Sequence, residues 1–254
     1  MERLIGRDLQ KKGLAGRLLK GRDWVRKGVM MVMLATVIPF NSMAQDKLEA
    51  SVGVDLVSGY IWRGQDLGNV SIQPSVGISW KGLSLSAWGS VGLEDEDTKE
   101  FDLTLGYSTG GFSISLTDYW FDGGQGYFHY DAHDTQHVFE IQVGYDFGAV
   151  AFNWYTNIAG NDGVNGDGDR AYSSYVTLSA PFKLGGLDWT AEVGATPWET
   201  SFYNDGASGF EVCDVSVGAS KDIAINDKFS LPLFAKATWN PATEGAYFVV
   251  GFSF

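Results

Sequence analysis

The sequence has little of several features, and each shortage excludes a kind of structure or partner. It has one cysteine, Cys213, in 254 residues, so an intramolecular disulfide is excluded. Its longest apolar stretch, residues 28–40, is shorter than the roughly 20 residues that a membrane-spanning helix needs. Basic residues are scarce after residue 27: half of the 18 Lys and Arg lie within residues 1–27. The rest of the chain is strongly acidic, which argues against nucleic acid as a partner.

The N-terminal segment has the three parts of a secretory signal peptide. Arg26 and Lys27 precede the apolar stretch, and Ser42-Met43-Ala44 puts small residues at the two positions that a signal peptidase reads. We therefore predict an N-terminal extension and cleaved signal peptide over residues 1–44 and an exported domain over residues 45–254.

The exported part consists of runs in which apolar residues alternate with polar or small ones, the period of a β-strand. We predict twelve strands, at about 47–62, 70–80, 83–93, 100–108, 112–121, 136–147, 149–160, 171–182, 187–197, 209–221, 229–239 and 245–254. Short glycine-marked turns alternate with long polar loops between them. This pattern is typical of an all-β, transmembrane, antiparallel up-and-down β-barrel of the bacterial outer membrane, with short turns and both termini in the periplasm.

The phase that carries charge predicts which face meets lipid. Phe101, Leu103 and Leu105 alternate with Asp102 and Thr104, and other strands repeat the pattern. Twelve strands are too many for one core filled by side chains, so the apolar face is predicted to point outward. Aromatic residues near the strand ends suggest two interfacial girdles: Trp80, Tyr107, Phe112, Phe147 and Phe182 by the turns, and Trp62, Tyr119, Trp120, Tyr172, Trp198 and Trp239 by the loops.

Residues 57–93 resemble the opening hairpins of the TorF-type putative porins, a bacterial outer-membrane family. The matching positions are Ser58, Tyr60, Trp62, Arg63, Gly64, Gln73, Pro74, Gly82, Ala87, Trp88 and Ser90. The segment 65–68 departs from the family pattern. The resemblance implies a barrel and a pore, without a defined solute.

The predicted inward phase is rich in acids and holds few bases. As the candidate channel lining we take Asp55, Arg63, Asp102, Glu140, Glu192, Asp214 and Lys236. Acidic rings in a pore favour cations. The alternative is that these groups bond to one another, with Arg63 and Lys236 paired to acids across the wall.

Two patterns that could bind metals are weak, and we predict neither a cofactor nor a metal. His129, His133 and His137 have a spacing that aligns ligands on a helix, but their surroundings predict a loop entering a strand. Residues 161–170 offer Asn165, Asp167 and others to calcium but lack the bidentate glutamate of an EF-hand. An Asn/Gly turn is the simpler interpretation.

The sequence thus predicts an outer-membrane porin-like channel for passive diffusion of small polar or cationic solutes, and no enzyme. Its partners would be membrane lipid, small solutes and, through the terminal aromatic Phe254, the barrel assembly machinery. Two alternatives stay open. One is an outer-membrane lipid hydrolase, of phospholipase or lipid A deacylase type, although no nucleophile motif singles out a serine. The other is a plugged structural or adhesive barrel.

Overall fold

The fold was analysed in a computed structural model, which describes residues 47–254 except positions 96, 133, 227 and 228. The predicted extension and signal peptide, residues 1–44, lie outside these described residues. The strands are β1 (Glu49–Val57), β2 (Tyr60–Trp62), β3 (Gln65–Gly68), β4 (Ser71–Trp80), β5 (Leu83–Gly92), β6 (Lys99–Thr109), β7 (Phe112–Phe121), β8 (His137–Asp146), β9 (Ala151–Gly160), β10 (Ser174–Leu184), β11 (Leu187–Thr196), β12 (Glu211–Asn226), β13 (Phe229–Asn240) and β14 (Gly245–Ser253).

Twelve of these strands form one closed antiparallel barrel in which each strand pairs with its neighbours in the chain. The seam is β1 against β14, where Asp55, Leu56 and Val57 face Ser253, Phe252 and Gly251. The predicted strand number, order and closing pair are therefore confirmed. In the part of the chain that the structure describes, no helix is long and apolar enough to cross a membrane.

The first predicted strand, 47–62, is wrong at its C-terminal end. β1 stops at Val57, and β2 and β3 form a separate two-stranded hairpin. Arg63 and Gly64 are the two turn residues of this hairpin, and both have positive φ, at 48° and 76°. Those values match the turn that suits a two-residue hairpin. The alternation of residues 47–62 continues across this break, so it hid the change of direction.

The outer surface of the barrel is apolar, as predicted. Val52 is 74% exposed and Leu105 is 56% exposed, and most outward positions of the other strands are large hydrophobic side chains. Such a continuous apolar belt is far larger than the patches that soluble monomers expose, and it suits the hydrocarbon of a bilayer. The described chain therefore belongs to the class of membrane-spanning β-barrels.

The two aromatic girdles are confirmed only in part. The five aromatics predicted beside the short turns all lie exposed on the outer surface, and Trp198, Tyr172 and Trp239 do so near the long loops. Trp62 and Tyr119 were wrongly assigned, because both are buried in the barrel interior. Trp62 belongs to the hairpin, and Tyr119 is in the inward phase of β7.

The long connection from β7 to β8, residues 122–136, lies against the outer wall in its described part, which excludes position 133. The ring of Tyr127 contacts Phe101 and Trp120, and Tyr130 stacks on His137 with ring centroids 4.0 Å apart. Beneath them the outward-facing Asp118 accepts a 2.7 Å hydrogen bond from Nδ1 of His137 and a 3.2 Å bond from the Tyr130 hydroxyl. This covering satisfies a carboxylate that breaks the apolar phase of β7, and burial together with these contacts raises the pKa of Tyr130.

Leu105 is well placed to test whether the apolar face of the barrel contacts lipid. It lies between Leu85 and Leu116 on the adjacent strands. We expect Leu105→Arg to destabilise the barrel in lipid by about 2–4 kcal/mol, as charges near the bilayer midplane do. Urea unfolding in phospholipid vesicles measures this.

Two further arginine substitutions serve as controls for Leu105→Arg. Leu103→Arg should cost less, because Asp118 lies directly opposite Leu103 and can pair with the new charge. Ser115→Arg should also cost less, because Ser115 faces the interior, where its hydroxyl bonds to Gln142. Equal losses for all three variants would contradict the assignment of faces.

Candidate functional site in the barrel interior

The short hairpin β2–β3, residues 60–68, folds into the barrel from the end that carries the long loops. We call this the inward hairpin, and we call the two ends of the barrel the loop end and the turn end. Tyr60, Trp62 and Leu67 of the hairpin are buried among inward-facing wall residues. The ring of Tyr60 packs against Trp88 of β5, and its hydroxyl donates a 2.9 Å hydrogen bond to Glu100. The hairpin therefore occupies the loop-end half of the interior.

Arg63, at the tip of the inward hairpin, pairs with Glu140 of β8. Its Nη1 and Nη2 donate hydrogen bonds of 2.6 and 2.9 Å to the two carboxylate oxygens. Glu140 also accepts a 2.7 Å bond from the Tyr119 hydroxyl, and Arg63 donates to the Tyr203 hydroxyl. A two-pronged, fully hydrogen-bonded pair of this kind is the geometry in which a buried ion pair is best compensated.

Aromatic faces surround the guanidinium of Arg63. Its central carbon lies 4.2 Å from the ring centroids of Trp62 and Tyr155 and 4.8 Å from that of Tyr175. A cation over a desolvated ring gains up to about 2 kcal/mol or more. Burial, the largest single influence, would lower the pKa of Arg63, but the Glu140 carboxylate together with Tyr203 and Tyr119 outweighs it, and the pKa lies well above its ordinary value. Arg63 is therefore a permanent charge in this site.

The tip of the inward hairpin touches two neighbouring parts of the wall. A Cβ atom on Gly64 would lie 1.7 Å from the carbonyl oxygen of Cys213 in β12, so only glycine fits at this contact. The Gly64 carbonyl accepts a 3.0 Å hydrogen bond from Asn240 of β13. The hairpin thus leaves β1 and places Gly64 against β13 and β12, two and three strands away, while Arg63 contacts β8, β9 and β10.

The long loop between β11 and β12, residues 197–210, also turns inward. Phe202 and Tyr203 are buried against Trp62, and burial raises the pKa of Tyr203. Asn204 accepts a 3.0 Å bond from Asn240 and donates one to Glu211. Uninterrupted alternation along β12 would put Glu211 on the outward face, but the register shifts at Cys213, and Glu211 pairs with the buried, inward-facing Thr196. Glu211 therefore lies on the inner face at the rim, where its own loop binds it.

A second ionic group lies in the wall formed by β11, β12 and β13. Nζ of Lys236 is 3.7 Å from Glu192 and 3.6 Å from Asp214. All three side chains face the interior, and both Arg63 and Lys236 lie beside acids, the alternative to a free channel lining that the sequence left open. One base against two carboxylates leaves this group with a net negative charge.

Asp55 and Asp102 also face the interior, on β1 and β6. Asp102 lies two positions from Glu100 on the inward face of β6. Among the described residues, neither oxygen of Asp102 has a hydrogen-bond donor, although the side chain is fully buried.

The turn-end half of the interior has a different surface. Its wall carries small polar side chains, including Ser51, Ser75, Ser84, Ser86 and Ser113, all of them partly exposed. Thus the interior has a polar chamber at the turn end and a packed layer at the loop end. All seven predicted lining residues point into the interior, but most of them lie in the packed layer.

A hydrolase would need a histidine beside a serine near the loop end, but His137 and three nearby serines have other hydrogen-bond partners. His137 faces outward, with Nδ1 on Asp118 and Nε2 2.5 Å from the Tyr127 carbonyl oxygen. The hydroxyls of Ser71, Ser173 and Ser174 bond to Asn69, Thr200 and Tyr172. These contacts give no support to a serine–histidine pair at those positions.

The calcium-like pattern of residues 161–170 is a local turn, and the histidine pattern includes His133, which lies outside the described residues. Oδ1 of Asn165 accepts hydrogen bonds from the amides of Asp167 and Asp169, which makes this loop an Asn-centred turn. No group of three or more His, Cys, Asp or Glu suited to a metal occurs in the described part of residues 47–254.

The aromatic residues that surround Arg63 and Tyr60 were not predicted as part of the site. Trp88, Tyr119, Tyr155 and Tyr175 stand in the inward phase of their strands, where the other residues are small or polar. A large aromatic side chain among small or polar ones is the sequence feature that could have identified these four residues. Tyr203 gave no such signal, because it lies in a loop without periodicity.

Comparisons with known proteins give limited guidance. No family model matches the chain, and no curated protein matches it. Among solved structures, a crystal structure of a doubly substituted OccD1 (OprD) aligns with a TM-score of 0.37 and 11% identity, covering 82% of this chain and 65% of that one. The chain thus spans about two thirds of the length of OccD1. Membership of the TorF-type family stays a prediction.

The Arg63–Glu140 pair should be the most sensitive ionic contact of the interior. We expect Glu140→Gln to destabilise the barrel by about 3–5 kcal/mol, because it leaves the buried Arg63 without its counter-charge. Urea unfolding in detergent micelles measures the change.

The matched control for Glu140→Gln is Glu192→Gln. Lys236 still has Asp214 as its counter-charge in that variant, so the loss of stability should be smaller. The double variant Arg63→Met, Glu140→Met should lose less than Glu140→Gln alone, since no unpaired charge remains. If the double variant lost as much stability as Arg63→Met and Glu140→Met lose separately, added together, this account would be refuted.

Proposed function

We propose that the protein is an outer-membrane channel of low conductance that passes small polar solutes and prefers cations. The observation that carries the proposal is a closed barrel whose exterior is apolar and whose interior holds a polar chamber at the turn end and more acids than bases among its inward-facing residues. A barrel that only anchored loops would not need an uncompensated acidic wall. Its terminal Phe254 and apolar belt fit delivery to, and retention in, that membrane.

The preference for cations follows from the charges that have no partner of opposite sign. Arg63 is matched by Glu140, and Lys236 is outnumbered by Glu192 and Asp214. The negative potential of these groups raises the local concentration of cations and lowers that of anions.

The low conductance follows from the packed layer at the loop end. The inward hairpin and residues 197–210 fill that half with aromatic side chains, so the free cross-section is narrowest there. The same observation favours a second candidate, a plugged barrel with a structural or adhesive role. Conductance separates the two.

The first test is conductance in planar lipid bilayers. We expect small unit steps in KCl for the wild-type barrel and a reversal potential that indicates cation preference under a salt gradient. A correctly folded barrel with no unit conductance at any voltage would refute the channel and favour the plugged barrel.

Paired substitutions in the Lys236 group test the origin of selectivity. The double variant Glu192→Gln, Asp214→Asn leaves Lys236 as a net positive charge and should reduce the cation preference. Lys236→Met removes the base and should increase it. Identical reversal potentials for these variants would show that this wall does not face the ion path.

A further inference from the structure

The environment of Arg63 has the composition of a binding site for an organic cation. Glu140 supplies a carboxylate to both nitrogens of the guanidinium, Tyr155 and Tyr175 supply ring faces, and the Tyr203 hydroxyl accepts a further bond. All four wall and loop residues are buried, and none belongs to the inward hairpin. If the hairpin were withdrawn, Trp62 would leave with it, but the rest of the site would remain.

The inward hairpin is attached to the barrel in a way that permits such a withdrawal. Its two strands pair only with each other and form a sheet separate from the barrel wall. Beyond Arg63, the hairpin contacts the barrel through hydrogen bonds that include Asn240 to the Gly64 carbonyl, Thr98 to the Leu67 carbonyl and Tyr60 to Glu100. The rings of Tyr60 and Trp62 add packing contacts. The contacts of Arg63 are the densest among them.

We propose that the wall residues Glu140, Tyr155, Tyr175 and Tyr203 form a site for a guanidinium or alkylammonium group, which the protein occupies with its own Arg63. The inward hairpin is then a tethered plug, and a free organic cation of this class competes with it. A planar guanidinium suits the site best, because it can bond to both oxygens of Glu140 while its faces contact the rings. Small hydrated metal ions cannot make the ring contacts.

The tether determines the concentrations at which competition occurs. A tethered group has an effective concentration in the millimolar range or above, so a free ligand must exceed it to displace Arg63. With Arg63 removed, the same ligand should bind at lower concentration. A free guanidinium therefore has opposite effects on the two proteins, because it opens the wild type and refills the empty site of the variant.

Cys213 is a native reporter of the plug. It is the only cysteine, it is buried, and its backbone contacts Gly64 at the tip of the hairpin. The rate at which a charged thiol reagent modifies it in folded protein measures exposure of the region beneath the hairpin. The measurement does not require conduction.

The experiment compares wild type with Arg63→Ala in detergent micelles, with ethylguanidinium as the ligand and N-ethylurea, its neutral analogue, as the control. We expect labelling of Cys213 to be at least tenfold faster in Arg63→Ala. Ethylguanidinium in the millimolar range should slow labelling of this variant severalfold, whereas about 100 mM should accelerate labelling of the wild type. N-Ethylurea should have no effect on either.

Two variants keep the test decisive. Arg63→Lys should be labelled at an intermediate rate, since a lysine keeps the charge but cannot bond to both oxygens of Glu140. Arg63→Ala, Glu140→Gln should lose the response to ethylguanidinium. Equal responses to ethylguanidinium and N-ethylurea, or none, would overturn the proposal, and the wild-type arm decides it even if Arg63→Ala does not fold.

The site rests on the proposed channel only in its consequence for transport. Faster labelling without conductance would leave the cation site intact and refute the channel. Conductance that responds to the Lys236 variants, with labelling indifferent to Arg63, would leave the channel intact and refute the plug.

Discussion

Backbone hydrogen bonding in a medium without water is the constraint on which the rest of this structure depends. Each unpaired amide or carbonyl in hydrocarbon costs several kcal/mol, so a sheet in a bilayer must have no free edge. Here the pairing of β1 with β14 removes the last two edges. Closure divides the side chains of every strand between lipid and an enclosed interior, and every later feature of the molecule follows from that division.

The enclosed interior is too wide for wall side chains to fill, and the chain uses its own backbone to fill half of it. The inward hairpin carries Arg63 into a ring of aromatic residues and onto Glu140. A turn residue with positive φ is strained unless it is glycine or asparagine. Arg63 adopts that conformation because the ion pair, the ring faces and the bond to Tyr203 together outweigh the strain. The packed layer at the loop end is therefore specific in structure and is not a collapsed loop.

On the outer wall, a loop covers a charged side chain that would otherwise face lipid. Asp118 would be costly beside lipid, but His137 and Tyr130 bind it, and residues 122–136 cover the group. Phe128, which is 89% exposed, extends from this cover at the height of the loop end. Aromatic residues at such positions favour the interface between hydrocarbon and headgroups. The same chain thus uses one long connection outside the barrel and two inside it.

The sequence by itself determined the barrel, its strand number and the two faces, because a period of two residues decides which side chains share a side. It also determined that Glu140, Glu192, Asp214 and Lys236 point inward. It did not determine that residues 60–68 leave the wall, since the alternation continues through Ser58 and Gly59 without a change of phase. Only the tertiary structure decided which inward groups meet. Arg63 and Glu140 are 77 positions apart, and their contact depends on barrel closure and on a hairpin whose direction no local pattern encodes.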